Sequence, residues 1–287
     1  MTNATSPETP SLNRHGLGVQ EFYSHGAEKR ALEAKGFLSF GYWKDDTKDY
    51  AEAAENLLQL LLDESGIVDA DLILNVACGN GIETAKIFDR LRPKRIHGID
   101  ITRKHIVTCQ RRAEELGLAD RLVFEHGDAC RTRFADETFS HVIGIEGIAH
   151  FDTRERFFAE ARRVLKPGGQ MMLTDCIIKR LPPGVMDEVA TRACSRFWHM
   201  PRANWVDIPE YEEQLERNGF RVEFVRSIGH RVYPGFAKFN VTADAIKNNI
   251  DVRGVRIGLG LAFICWLVGD VHRRGVSDYV LVKAFKK

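Results

Sequence analysis

The chain has 287 residues, 44% of them hydrophobic, which is enough for the core of one large domain. Its 41 Lys and Arg residues nearly balance 40 Asp and Glu. The basic residues are scattered, which argues against a nucleic-acid partner. Six widely spaced cysteines without a C-x-x-C pair indicate reduced thiols in a cytosolic protein, and no metal site is predicted.

Two segments bear on targeting. Residues 1–20 lack the apolar core of a signal peptide and are expected to be a disordered N-terminus. The apolar run 257–269 is shorter than the roughly 20 residues that span a bilayer, so it predicts a buried helix. The wall of an apolar pocket and a surface that touches membrane are the alternatives. A cytoplasmic location without stable membrane insertion follows.

From about residue 70 the chain alternates short β-branched runs with helical patterns. Such alternation predicts right-handed βαβ crossovers and a doubly wound, Rossmann-like α/β fold with a parallel sheet. The predicted strands are 72–77, 95–99, 122–126, 141–145 and 170–176. The predicted helices are 81–91, 103–117 and 153–166, the last ending before Lys166-Pro167-Gly168-Gly169.

Later elements are a helix at 209–218 and strands at 221–227 and 278–285. The remaining segments suggest a helical cap over residues 21–68 and a main domain over 69–287. Within that domain, helical insertions 177–208 and 228–276 are expected to form a substrate lid, because ligands sit at the carboxyl ends of parallel strands.

The stretch ILNVACGNGIETAK, residues 73–86, turns from a strand into a helix at Gly79 and Gly81. Two glycines let peptide N–H groups approach a ligand at the start of a helix. A dinucleotide site needs a third glycine three residues later, where this chain has Thr84, so a pyrophosphate is disfavoured.

Two carboxylates end the next strands. Asp100 follows the glycine turn by about 20 residues, where a carboxylate can accept both ribose hydroxyls of an adenosine. Asp128 ends strand three in EHGDAC. Together with the turn, they predict an adenosine pocket; helix capping by Asp100 and a loop turn at Asp128 are the structural alternative.

Five stretches, NVACGNG, GIDIT, HGDAC, IGIEGIAHF and RVLKPGGQMMLTD, resemble the successive motifs of the class I S-adenosylmethionine-dependent methyltransferases. The resemblance covers residues 37–287 and is to the small-molecule branch, with sarcosine and tocopherol methylases, sugar O-methyltransferases and geranyl diphosphate C-methyltransferases. It implies a seven-stranded sheet whose last strand, 278–285, is antiparallel, and S-adenosyl-L-methionine as cofactor.

The resemblance also assigns cofactor-binding residues. It implies that the glycine turn carries the methionine part, that the ends of strands two and three carry ribose and adenine, and that the FGYW stretch closes over the methionine end. The residues so assigned are Tyr42, Trp43, Asn75, Ala77, Cys78, Gly79, Gly81, Asp100, Ile101, Asp128, Ala129 and Glu146.

Asn75 and Ala77 depart from the family, which usually has Asp or Glu at the first position and glycine at the second. The amide of Asn75 can still accept a hydrogen bond from the cofactor's ammonium. If that is its role, Asn75→Asp should tighten cofactor binding.

Candidate catalytic groups follow strand four in IEGIAHFD and end strand five. His150 is predicted as general base, with Asp175 or Glu146 orienting it. Shaping of the cofactor pocket is the alternative for both acids and the histidine, and Asp152 is expected to cap a helix. If the acceptor were an alkene, Glu146 would instead remove a proton from a carbocation surrounded by aromatic side chains.

The predicted function is O-methylation of a small lipophilic or natural-product-like molecule in secondary metabolism. C-methylation of an isoprenoid diphosphate and N-methylation of a small amine remain open, as does a homodimer. Rival hypotheses are a nucleotide-dependent oxidoreductase, a non-enzymatic cofactor-binding regulator, and a methyltransferase acting on nucleic acid or protein, whose N-P-P-Y or D-P-P-Y signatures the sequence lacks.

Overall fold

A seven-stranded sheet forms the centre of the protein in a computed structural model that describes residues 12–24, 36–179 and 184–287. The strand order is β3-β2-β1-β4-β5-β7-β6, and β7 runs antiparallel to both of its neighbours, which confirms the predicted fold. The strands are β1 Leu72–Val76, β2 Arg95–Asp100, β3 Leu122–His126, β4 Phe139–Ile145, β5 Leu165–Ile178, β6 Phe220–Ser227 and β7 Ser277–Lys286.

Helices cover both faces of the sheet, as a doubly wound topology requires. Within the described ranges they are α1 Arg14–Ser24, α2 Tyr50–Ser65, α3 Ile82–Leu91, α4 Arg103–Glu115, α5 Arg154–Val164, α6 Val185–Phe197, α7 Ile208–Arg217, α8 Gly229–Asn240, α9 Ala243–Arg253 and α10 Val255–Arg273. Short 3₁₀ turns lie at Ile148–His150 and Arg202–Asn204.

The core is divided by the sheet into two apolar clusters. Leu57, Leu58 and Leu61 of α2 pack on one face, together with residues of α3, α4 and α10. Phe157 and Phe158 of α5 pack on the other face, together with residues of α7. Strand β1 is buried from Ile73 onward because both faces of its sheet are covered.

The fifth strand is longer than its sequence pattern predicts. It begins at Leu165, which pairs with Phe139, and helix α5 therefore ends at Val164, before the Lys166-Pro167 stop signal. The register shifts between Phe139 and His141, so an irregular pairing absorbs the turn-like residues that the sequence places outside the strand.

The structure near the N-terminus differs from the sequence prediction. Helix α1 begins at Arg14, so the predicted disorder of residues 1–20 is wrong for residues 14–20, while residues 1–11 lie outside the described part. Gly16 and Val19 are buried, and a Cβ on Gly16 would meet Ile101 at 3.0 Å. Contact with the loop after β2 thus stabilises a segment whose local sequence does not favour a helix.

Helix α10 contains the apolar run at 257–269. Among the described residues it is the one helix that is long and apolar enough to cross a membrane, by length and composition, and 33% of that apolar stretch is buried inside the protein. The predicted burial holds for the face with Cys265 and Val268. It is wrong for the outer face, where Phe263 and Trp266 are 59% and 46% exposed.

Candidate active site

A cavity of about 1030 Å³ lies at the carboxyl ends of the parallel strands. The ends of β1, β2 and β4 form one wall, and α1, α6 and α8 to α10 supply residues of the opposite wall. We call these the cofactor wall and the acceptor wall. Ligands of open α/β folds bind at this edge because the chain reverses there between strand and helix.

The glycine turn has one residue in the cavity and one outside it. Gly79 lines the cavity with a φ of +52°, and its N–H donates to Asp100 Oδ2 at 2.9 Å. Gly81 is absent from the lining, so the structure does not bring it to the cavity. It begins α3 with a φ of +74°, where a Cβ would lie 2.9 Å from Cys109 Sγ, so glycine allows α3 and α4 to pack closely.

Asp100 is 7% exposed and bonds with three groups of the protein. Besides Gly79 N–H, it accepts from Thr102 N–H at 2.7 Å and lies 3.2 Å from His105 Nδ1. Burial alone would raise the pKa of Asp100, but His105 and the two N–H groups hold it below its usual value. A charged carboxylate therefore fixes the turn and faces the cavity.

The predicted adenine contacts meet next to Asp100. Ile101, Asp128 and Ala129 all line the cavity, and Asp128 Oδ1 accepts from Cys130 N–H at 2.8 Å. That bond occupies one carboxylate oxygen, so the other can accept from an amino group. Cys78 also lines this wall and is 3% exposed.

Ala77 stands in the left-handed region with a φ of +49°, a conformation that favours glycine. The structure accommodates its methyl group through Gly147, since a Cβ on Gly147 would lie 2.0 Å from Ala77 Cβ. The two positions are therefore coupled across the ends of β1 and β4. The departure at Ala77 leaves it in the cavity lining.

Asn75 lines the cavity, but its amide is held by the protein. Its Nδ2 donates to the carbonyl of Ile143 at 3.1 Å, and its Oδ1 accepts from Thr84 Oγ1 at 2.6 Å. The carbonyl of Ile143 requires a donor, so a carboxylate would fit poorly at position 75. This contact between β1 and β4 explains why the chain has an amide there.

The FGYW stretch reaches the cavity through a different residue from the two that the sequence analysis chose. Tyr42 and Trp43 are absent from the lining, so the structure does not bring them to the cavity. Trp43 stacks near Phe239 with ring centroids 5.5 Å apart and donates from Nε1 to the carbonyl of Phe40. Phe40 and Tyr50 line the cavity in their place.

Glu146 lies in the cavity with a φ of +60°. Its Oε1 accepts from Phe40 N–H and from Tyr279 Oη, both at 2.6 Å. Burial raises the pKa of Glu146 to about 8, against the opposing effect of these two donors. Glu146 thus ties the N-terminal segment to the sheet, and its carboxyl group is mostly neutral at pH 7.

His150 lies in the cavity on the 3₁₀ turn after β4. Its Nε2 is 2.9 Å from Tyr23 Oη, and its carbonyl is 2.8 Å from His15 Nε2. Burial lowers the pKa of His150 to about 4, so the ring is neutral at pH 7. Its partner is therefore Tyr23 of α1 and neither of the two acids that the sequence analysis named.

Sequence reasoning missed Tyr23, His15 and Asn13. Asn13 Nδ2 donates to Asp152 at 2.6 Å, and Tyr23 packs edge-on to His105 with ring centroids 6.0 Å apart. These residues lie in or beside the segment predicted to be disordered. The signal available in the sequence was the occurrence of His15 and Tyr23, two residues able to bind protons, within one short segment.

Asp175 does not face the cavity, so its predicted catalytic role is wrong. It is fully buried on the other face of β5, where its Oδ2 accepts from Arg154 Nε at 2.8 Å and from Tyr211 Oη at 3.2 Å. The alternation of side chains along a strand sends Asp175 away from the cavity and Cys176 into it.

The ion pair between Arg154 and Asp175 nevertheless stabilises the site from the other face of β5. Arg154 Nη1 donates to the carbonyl of Asn204 at 2.6 Å. Asn204 Nδ2 in turn donates to the carbonyls of Ala149 and Phe151, at 3.0 and 2.8 Å. These residues flank His150, so the buried pair fixes the turn that carries it. Helix α5 is capped by Thr153 instead of Asp152.

The acceptor wall is largely aromatic and aliphatic. Phe40 packs against Phe236 with ring centroids 4.4 Å apart and against Trp198 at 5.5 Å. Its cavity-lining residues come from α6, from the turn that follows α6 and from α8 to α10; they include Phe197, Trp198, Met200, Tyr233, Phe236, Leu261, Cys265 and Val268.

The lining fits an adenosyl cofactor with a positively charged sulfur. Carboxylates outnumber lysine and arginine among the described residues around the cavity. A sulfonium is favoured by this excess of negative charge. Asp100 would hold the ribose, Asp128 and Ala129 the adenine, and Gly79 would let the backbone approach the methionine part.

Comparison with known proteins points to methyltransferases. A family model described as a methyltransferase domain matches residues 73–169. The erythromycin 3''-O-methyltransferase of Saccharopolyspora erythraea is 33% identical over 203 residues, covering 68% of this chain and 65% of that protein. The methyltransferase GfsG of Streptomyces halstedii is 27% identical over 272 residues, covering 93% and 94%.

The fold has a close match among solved structures. Geranyl diphosphate C-methyltransferase from Streptomyces coelicolor, solved with S-adenosyl-L-homocysteine, superposes with a TM-score of 0.75 at 16% identity, covering 98% of this chain and all of that one. At that identity the match concerns the fold alone. Fold, motif geometry and relatives agree, and together they support a class I methyltransferase of the small-molecule kind, with S-adenosylmethionine as its cofactor.

Proposed function

We propose that the protein transfers the methyl group of S-adenosylmethionine to a hydroxyl group of a small lipophilic, natural-product-like acceptor. The observation that carries the proposal is the pair of His150 and Tyr23, which lies in the cavity shared by the cofactor wall and the acceptor wall. The cofactor supplies an activated methyl group. The protein must align the acceptor, exclude water and receive the hydroxyl proton.

His150 and Tyr23 can receive that proton. In the neutral imidazole one ring nitrogen has a lone pair, and Tyr23 can donate to Nε2 while its own oxygen accepts from the acceptor's hydroxyl. A base with a pKa of about 4 is weak. It suffices because the hydroxyl proton becomes strongly acidic as the oxygen gains the methyl group.

Glu146 favours O-methylation over C-methylation. An alkene acceptor would need a carboxylate to remove a proton after methyl transfer. The carboxyl of Glu146 has a pKa of about 8, and one oxygen is engaged by Phe40 N–H and Tyr279. It is therefore mostly protonated at pH 7 and poorly suited to take a proton.

The size and lining of the cavity define the acceptor class. A volume of about 1030 Å³ exceeds what a cofactor alone requires, and the acceptor wall has aromatic rings from α6 and α8. Such a wall buries an apolar body and leaves few groups that could bind a polymer. We infer a cytosolic enzyme whose partner is a small molecule.

The test is incubation with methyl-labelled S-adenosylmethionine and a small-molecule extract, followed by mass spectrometry of labelled products. We expect label in an O-methyl ether, a loss of about 100-fold or more in His150→Ala, and a smaller loss in Glu146→Gln. The exposed His230→Ala is the matched control. Label in a new C–CH₃ bond, lost chiefly in Glu146→Gln, would contradict the proposal.

A further inference from the structure

The cofactor wall contains a carboxylate to which the sequence analysis gave no role. Glu83 lies in the first turn of α3, directly after the glycine turn, and its side chain lines the cavity. It is partly exposed, and the surface it exposes lies in the cavity lining. The charge of Glu83 contributes to the raised pKa of Tyr50, Cys78 and Glu146, which line the same cavity.

Glu83 has no cation to balance it at close range. Among the described residues, none forms an ion pair with its carboxylate, and its hydrogen bond is to its own backbone N–H. Burial raises the pKa of Glu83 to about 7, and the more distant charges of Arg112 and His105 offset that effect only in part. A carboxylate that is largely withdrawn from water and has no partner is costly unless a ligand supplies one.

A second polar group points to the same ligand. Ser39 is 3% exposed and lines the cavity, and its Oγ has no hydrogen-bond partner among the described residues. Its carbonyl accepts from Tyr50 Oη, so the backbone is fixed while the hydroxyl remains available. Buried hydroxyls are nearly always hydrogen-bonded, which makes this one a candidate ligand contact.

We propose that Glu83 binds the ammonium group, and Ser39 the carboxylate group, of the cofactor's methionine tail. An acid and a hydroxyl that line the same cavity match the two charged groups of an α-amino acid. In this arrangement Glu83 supplies the negative charge that Asn75, held by Ile143 and Thr84, does not. The assignment holds whatever the methyl acceptor is.

The test compares two ligands that differ in the tail. S-adenosylhomocysteine has the amino-acid tail, whereas 5′-methylthioadenosine has the same adenosine thioether without it. We expect Glu83→Gln to weaken S-adenosylhomocysteine binding about 10- to 100-fold by calorimetry and to change methylthioadenosine binding less than about 2-fold. Retained methylthioadenosine binding also shows that the variant is folded.

Asp89→Asn is the matched control, because Asp89 is exposed on the same helix; it should change neither affinity. Ser39→Ala should weaken S-adenosylhomocysteine several-fold and spare methylthioadenosine, and it carries the test if Glu83→Gln does not fold. An equal loss for both ligands, or an unchanged affinity for S-adenosylhomocysteine, would overturn the proposal. Neither ligand is a methyl donor, so the outcome is separate from that of the proposed reaction.

Discussion

The two walls of the cavity are built in different ways. On the cofactor wall, Gly79 and Asp100 contact each other within one βαβ unit, close to positions that their sequence motifs assign. On the acceptor wall, Tyr23 of α1 contacts His150 on the turn after β4, which is 127 residues away in sequence. The cofactor wall thus depends on contacts between residues close in sequence, whereas the acceptor wall depends on packing between distant segments.

The largest effect is expected where the acceptor wall is anchored to the sheet. Arg154→Met should lower the free energy of unfolding by about 3 to 5 kcal/mol, because it leaves Asp175 buried and unpaired. Urea denaturation would measure it. The control is Arg217→Met, which removes an exposed pair with Glu155 and should cost less than about 1 kcal/mol. Equal losses would mean that the buried pair does not anchor the wall.

The next effect is expected on the cofactor wall, where a substitution should weaken ligand binding. Asp100→Asn replaces an acceptor of three hydrogen bonds by an amide, one end of which repels the N–H groups of Gly79 or Thr102. We expect affinity for S-adenosylhomocysteine to fall about 100-fold, measured by calorimetry. Asp120→Asn, exposed beyond α4, should leave it unchanged. An affinity within a few-fold of wild type would refute the assignment of Asp100.

Glu146 joins the two walls, and its charge makes their junction sensitive to pH. Its pKa of about 8 exceeds the ordinary value of 4.5, so the folded state holds a proton that the unfolded state loses, and this contribution to stability declines as the pH rises from 5 to 8. The free energy of unfolding of Glu146→Gln should therefore rise by about 3 to 4 kcal/mol relative to that of wild type between pH 5 and pH 8. Melts at several pH values would show it, with the exposed Glu114→Gln as control.

A difference in stability between Glu146→Gln and wild type that stays constant from pH 5 to 8 would contradict the shifted pKa.

The protonation of His150 affects stability at lower pH. Its pKa of about 4 lies below the ordinary 6.5, so its contribution to stability is lost as the pH falls through about 4 and does not affect the window above 6.5.

The smallest effect is expected at Asn75. The sequence analysis predicts tighter cofactor binding for Asn75→Asp, but the amide donates to the carbonyl of Ile143. A carboxylate there would repel that carbonyl, so we expect unchanged or weaker binding of S-adenosylhomocysteine and a loss of about 1 kcal/mol in stability. Calorimetry measures the affinity, and urea denaturation measures the stability. Tighter binding would instead support the prediction that residue 75 binds the cofactor's ammonium group.

The sequence alone determined the fold class, the alternation of strands and helices, and the positions of Gly79, Asp100, Asp128 and His150 at the carboxyl edge. These follow from hydrophobic periodicity and from glycine and acid spacing, which are properties of neighbouring residues. Strand β5 shows the limit, because its start at Leu165 depends on pairing with Phe139.

The tertiary structure decided which side chains share the cavity. The face of β5 on which Asp175 lies, the choice of Phe40 over Trp43, and the pairing of Tyr23 with His150 depend on strand register and on contacts between distant segments. Sequence periodicity carries no information on such contacts, because they arise only when the helices pack on the sheet. The helical state of residues 14–24 has the same origin, since its apolar contacts lie on the loop after β2.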